Sequence, residues 1–301
     1  MRISRTTSGL LLAMLGVLGF SFSLPWTVWA LESFAPVLTA TGRAVIAGVV
    51  AAVILLVRRI PWPDRSLMRP LIYTMAGAVF GWPILIALAL ERTTAAHAAV
   101  IAAIMPLVTA VFAVLRTGER VARQFWIAAV AGTVALVVFA LLRGGGEGGN
   151  PIADLLIVGA VLASSWCYVE GASLTKVMPG WQVISWVVVL ALPITVPVTV
   201  ILAMTGGVTT PVTTQAWIGM AFLGLVSVYF AFFAWYKGLS LAGVARGAQT
   251  QQMQAPLTLL WSALLLGETV TWAMVVAALV IVGCVAWAVR VRTPTVVAPE
   301  E

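Results

Sequence analysis

Four glutamines, Gln249, Gln251, Gln252 and Gln254, fall in the segment AQTQQMQAP (248–256), which runs directly into the apolar LTLLWSALLLG. Each carboxamide brings two donors and an acceptor that need partners. At about 100° per residue, Gln249, Gln252, Met253 and Pro256 share one face of a helix, and Gln251 and Gln254 point roughly the other way. Such a face can bind the polar groups of a small molecule in a hydrated cavity. It can also bond to a neighbouring helix, a contact worth about 0.6 kcal/mol. The Gln249/Gln252/Met253 face is assigned the binding role, and Gln251/Gln254 the interhelical one.

Charged and titratable groups are few in the apolar stretches. Glu170, in SSWCYVEGASLTK, reads as a proton or gate group, or as an interfacial carboxylate paired with Lys176 or an arginine. His97 is the single histidine. It can titrate near neutral pH and is a candidate for binding, gating or proton transfer, but with no Cys, Asp or Glu cluster beside it no metal site follows. Arg43 lies nine residues into the run 34–57, about 13 Å from its edge at 1.5 Å per residue. It can attract a carboxylate; the reading adopted is a structural intramembrane charge that bonds to carbonyls or to an adjacent helix.

Aromatic residues recur in the middle of apolar runs: Trp26, Trp82, Trp166, Tyr168, Tyr229 and Trp235. Ser21 and Ser23 precede Trp26, and Ser164 and Ser165 precede Trp166. Rings beside hydroxyls and amides suit a ligand with an apolar ring and a zwitterionic head. Prolines at Pro25, Pro83, Pro106 and Pro256 remove backbone donors within the same runs and are candidate hinges.

The elements that must position these residues follow from composition. The chain of 301 residues is 62% hydrophobic and 9% charged, whereas soluble domains carry about 25% charged residues. This predicts an all-α integral membrane protein of ten transmembrane helices, at 9–31, 34–57, 71–90, 94–115, 124–142, 153–175, 180–204, 215–239, 243–265 and 270–290. With the N-terminus inside, only Arg43, Arg92, Arg143 and Arg246 of the 17 basic residues fall away from inner connections. The expectation is therefore a multi-pass protein of a bacterial-type inner membrane with both termini cytoplasmic. The net charge of +7 is a topology signal and not a nucleic-acid footprint. Cys167 and Cys284 fall within spans and read as unpaired. No P-loop is present, and no cofactor is expected. The implied partners are a small-molecule substrate and the lipid bilayer; monomer and dimer both fit.

Two stretches resemble each other: AAVIAAIMPLVTAVFAVLRTGERV (98–121) and AQTQQMQAPLTLLWSALLLGETV (248–270), with Pro106 matching Pro256 and Gly118-Glu119 matching Gly267-Glu268. Five spans per half force the second copy upside down, and inverted repeats place a transport site near the midplane. The halves are 8–143 and 152–291, joined by a glycine-rich linker at 144–151 and followed by a tail at 292–301 expected to be disordered.

This paired pattern resembles the EamA repeat of the drug/metabolite transporter superfamily, and is most similar to the YddG-type exporters of aromatic amino acids. The resemblance implies a basket of helices around a central cavity lined mainly by spans 1, 3, 4, 6, 8 and 9. It implies a secondary transporter exporting aromatic or neutral apolar amino acids by alternating access, and not an enzyme. An exporter of another amphipathic metabolite or drug is the alternative. An intramembrane lipid-acting enzyme is disfavoured, because no nucleophile–base or metal set is found. The scarcity of buried acids favours facilitated export over obligate proton coupling.

Overall fold

Helix boundaries follow local chemistry in the computed structural model, which describes residues 4–90, 92–93, 101–118, 121–142, 150–267 and 270–290. Ser4 Oγ accepts from Thr7 N at 3.1 Å and starts the first helix. Asn150 Oδ1 accepts from Ile152 N and Ala153 N ahead of Pro151, whose missing N–H costs nothing at a helix start. Gly118 and Gly267 close two helices at φ 68° and 69°, a left-handed conformation that favours glycine. The matched Gly-Glu pairs of the sequence thus carry two C-caps.

The elements are α1 (Arg5–Ser21), α2 (Ser23–Leu31), α3 (Pro36–Val57), α4 (Arg65–Met75), α5 (Trp82–Leu90), α6 (Met105–Thr117), α7 (Arg123–Ala140), α8 (Pro151–Leu174), α9 (Gly180–Met204), α10 (Thr214–Phe222), α11 (Ala231–Ala242), α12 (Val244–Ala248), α13 (Gln254–Leu266) and α14 (Trp272–Arg290). A π-helical turn, Ala76–Gly81, joins α4 to α5, and another, Leu223–Phe230, joins α10 to α11. A 3-10 segment, Gln249–Met253, joins α12 to α13. Among the described residues, 8 helical stretches are long and apolar enough to cross a membrane, and α6 is a shorter apolar helix. No named strand occurs among them; an isolated antiparallel bridge, Phe34–Val208, ties two connections together.

The four candidate hinge prolines share one placement. Pro25 is third in α2, Pro83 second in α5, Pro106 second in α6 and Pro256 third in α13. Each follows an interruption and occupies a first turn, where a missing N–H is tolerated. The spans expected at 94–115 and 243–265 are therefore restarted at their prolines and are not bent continuous helices. By contrast, Pro193 and Pro197 lie inside the unbroken α9.

Packing pairs α1 with α11, α3 with α9, α7 with α14, and the α4–α5 stretch with α8. Small residues let the backbones approach. A Cβ on Gly77 would strike the Ala163 carbonyl oxygen, and one on Gly238 would strike the Ala13 backbone. The main core gathers Phe20, Tyr168, Phe232, Trp235 and Tyr236. Val49, Val53, Leu155, Leu264 and Leu279 stand exposed on the outside, where lipid is the fitting solvent.

Candidate functional site

The glutamine segment and the start of α6 meet inside the bundle. Gln249 Nε2 donates to the Pro106 carbonyl at 3.2 Å, and Gln252 Nε2 donates to Gln249 Oε1 at 2.7 Å. The 3-10 geometry explains the second bond, since residues three apart eclipse at three per turn. Both side chains are buried. The far end of Gln252 lies against Gly132 of α7, where a Cβ would overlap the carboxamide.

Gln251 serves a second layer. Its Nε2 donates to Tyr168 Oη at 3.3 Å and to Met105 Sδ at 3.4 Å. The Tyr168 ring meets Trp235 edge to face at 5.3 Å, and Phe20 meets Trp235 at 5.9 Å. Gln251 Oε1, Gln252 Oε1, Trp26 Nε1 and Trp235 Nε1 are buried with no hydrogen-bond partner among the described residues. An unpaired buried polar atom costs about 1–3 kcal/mol, so Gln251 Oε1 and Trp235 Nε1, both on residues that contact Tyr168, are suited to receiving a ligand's polar groups.

The other expected site residues divide. Ser21 is wholly engaged as a link between α1 and α13. Its hydroxyl donates to the Leu18 carbonyl at 2.7 Å and accepts from Trp261 Nε1 at 2.9 Å. Its carbonyl accepts from Thr258 Oγ1 at 2.8 Å, because Pro25 has no N–H to offer it. Ser23 Oγ pairs with Ser227 Oγ at 2.6 Å. Trp26 is half-buried and stacks on Phe222 at 4.7 Å. Trp166 is half-buried against Phe112, and Trp82 packs on the main core. Met253 is half-buried beside two core clusters. Tyr229 is fully buried in the main core, with its hydroxyl on Ser185 Oγ at 2.7 Å. His97 lies outside the described residues.

Glu170 finds its partner on another helix. Arg116 Nε donates to Glu170 Oε1 at 2.7 Å, with Glu170 2% exposed and Arg116 48%. Neither Lys176 nor the adjacent sequence supplies the bond. Next to it, the Tyr236 ring fills the space where a Cβ on Gly171 would stand. Arg116, Gly132, Ser227 and Trp261 were not legible as partners, since each contact joins segments far apart in the chain.

Arg43 is half-buried, and no hydrogen bond or ion pair reaches it among the described residues. The carbonyl contact expected of a structural staple is not formed there. A cation at membrane depth costs about 3 kcal/mol without such help.

Comparison with known proteins identifies the scaffold. The model of the EamA-like transporter family matches twice, at residues 7–141 and 151–290. The chain is 38% identical over 288 residues to a Bacillus subtilis (strain 168) protein named "Uncharacterized transporter YdeK", covering 96% of this chain and 99% of that one. A solved crystal structure shares the fold at a TM-score of 0.79 and 20% identity, over 96% of this chain and 100% of its own. Together with the apolar helices, these matches establish a multi-pass membrane transporter: the chain belongs to the EamA-like transporter family.

Proposed function

We propose that this chain is a secondary transporter of the inner membrane that exports amino acids, with aromatic or neutral apolar side chains preferred. Two five-helix repeats of opposite orientation alternate access to one site at their interface. The observation that carries the substrate reading is the Tyr168–Gln251 layer: an aromatic platform with a buried carboxamide oxygen lacking a donor. Such a layer complements an apolar ring and the ammonium of a zwitterion.

Correspondences between the halves support the inverted arrangement. Pro106 and Pro256 each open a restarted helix, Gly118 and Gly267 each cap its end, and a π turn interrupts both the 65–90 and the 214–242 stretch. Packing of α4–α5 on α8 answers packing of α10–α11 on α1 and α2. With both termini cytoplasmic, the Arg116–Glu170 pair stands at the inner end and closes that side, and the interruptions before the prolines serve as hinges. The repeats run 8–143 and 152–291.

The test is flux of labelled amino acids in proteoliposomes, with and without a pH gradient. Selective movement of Trp, Phe or neutral apolar amino acids without the gradient is the expected result. Movement of other metabolites alone would remove the substrate assignment.

A further inference from the structure

We propose that Arg43 is the specificity-determining cation of the transport site and that the molecules carried by this chain bear a carboxylate. This rests on the transport reading above, but on neither the side chain nor the identity of the amino acid.

Along α3, Arg43, Ala47, Val50 and Ile54 follow one another at spacings of four, three and four, which places them on one side of the helix. Ala47 is fully buried, and Val50 and Ile54 pack on the main core. The opposite stripe, Val49, Val53 and Leu56, is the exposed one. Arg43 therefore points into the bundle and not at lipid. It is still partly accessible, and its stripe neighbours Ala47, Val50 and Ile54 pack in the core cluster that holds Tyr168.

No hydrogen bond or ion pair joins Arg43 to a described residue. Glu170, the buried acid two residues from Tyr168 on α8, is held by Arg116. The polar neighbour of Tyr168, Gln251, spends its amide hydrogens on Tyr168 and Met105 and leaves its oxygen without a donor. The neighbourhood of Tyr168 thus offers one cation and one open acceptor. That is the complement of a molecule with a carboxylate and a donor group beside an apolar body. A guanidinium presents a planar fork of donors that matches a carboxylate with two parallel bonds. In low dielectric an anionic cargo supplies the countercharge that the protein does not.

The experiment measures ligand-induced stabilisation of the purified full chain with matched probes: L-phenylalanine, L-phenylalaninamide, phenylacetate and phenylacetamide, with inorganic phosphate as a further anion. The expected result is stabilisation by both acids, with each amide binding at least about tenfold more weakly. Arg43→Gln abolishes the acid preference, and Arg43→Lys retains it at lower affinity, because the charge survives without the fork. Equal binding of acid and amide to the native chain would overturn the proposal. So would stabilisation by none of the acids, stabilisation by phosphate instead, or an unchanged preference in Arg43→Gln. If Arg43→Gln does not fold, the native acid-to-amide ratio and the lysine variant decide. The two readings fail separately. Acid-selective binding lost in Arg43→Gln, with no flux of any amino acid, would retain the carboxylate site and remove amino-acid export. Amino-acid flux with undiminished acid selectivity in Arg43→Gln would do the reverse.

Discussion

Arg116 donates its Nε–H to Glu170 Oε1 across 2.7 Å, tying α6 to α8 although 54 residues separate the two in sequence. The pair is asymmetric: Glu170 is buried and Arg116 is half in solvent. Removing the arginine leaves a buried carboxylate unpaired, whereas removing the acid leaves a cation that water can solvate. Arg116→Ala is therefore expected to cost about 1.5–3 kcal/mol of stability, and Glu170→Ala less than about 1 kcal/mol, the range of an exposed ion pair. Unfolding of the purified variants by denaturant checks this. Equal losses would contradict the described geometry.

The glutamines are expected to separate binding from folding. Gln249→Ala strips the donor from the Pro106 carbonyl and the acceptor from Gln252, so stability and transport both fall, the former by about 1–3 kcal/mol. Gln252→Ala also takes the donor from Gln249 Oε1 but leaves the Pro106 bond, so its stability loss is smaller than that of Gln249→Ala, while substrate affinity falls.

Gly132→Ala offers a subtler probe. The three atoms nearest its Cβ all belong to the Gln252 carboxamide, the movable end of a side chain. Transport kinetics should copy those of Gln252→Ala, with little change in melting temperature. Native kinetics in Gly132→Ala would mean that the position of Gln252 does not matter.

Pro256→Ala tests the hinge assignment. The substitution supplies an N–H in the first turn of α13 and lets the 3-10 segment before it relax toward α-helix. Turnover should fall more than affinity in paired flux and binding measurements. Equal losses would count against a hinge.

Much of the fold is legible because lipid imposes a simple rule: apolar runs of about 20 residues must be helical. The expected span 180–204 coincides with α9, and 34–57 differs from α3 only at its start. The matched Pro106/Pro256 and Gly118/Gly267 are readable for an equally local reason, since proline and glycine mark helix starts and stops. What periodicity misses is departure from the α-helix itself. A 100° rotation does not foresee the 3-10 turn over 249–253, which stacks Gln252 on Gln249. Nor does it show that Gln251, assigned to the interhelical face, meets the tyrosine at the centre of the aromatic cluster. Tyr229 has the same composition signal as Tyr168 but its hydroxyl bonds to Ser185 and not to a glutamine. Which side of α3 Arg43 faces was not legible either, because it depends on what packs there.

Alternating exposure of the glutamine layer is the central claim, and sidedness of labelling measures it directly. In a chain whose buried Cys167 and half-buried Cys284 are replaced, Gln252→Cys would be treated with a membrane-impermeant maleimide from each side. Labelling from outside is expected while the Arg116–Glu170 pair holds the inner end closed, and labelling from inside should increase when Arg116→Ala is added. Labelling confined to one side in both backgrounds would contradict alternating access at this site.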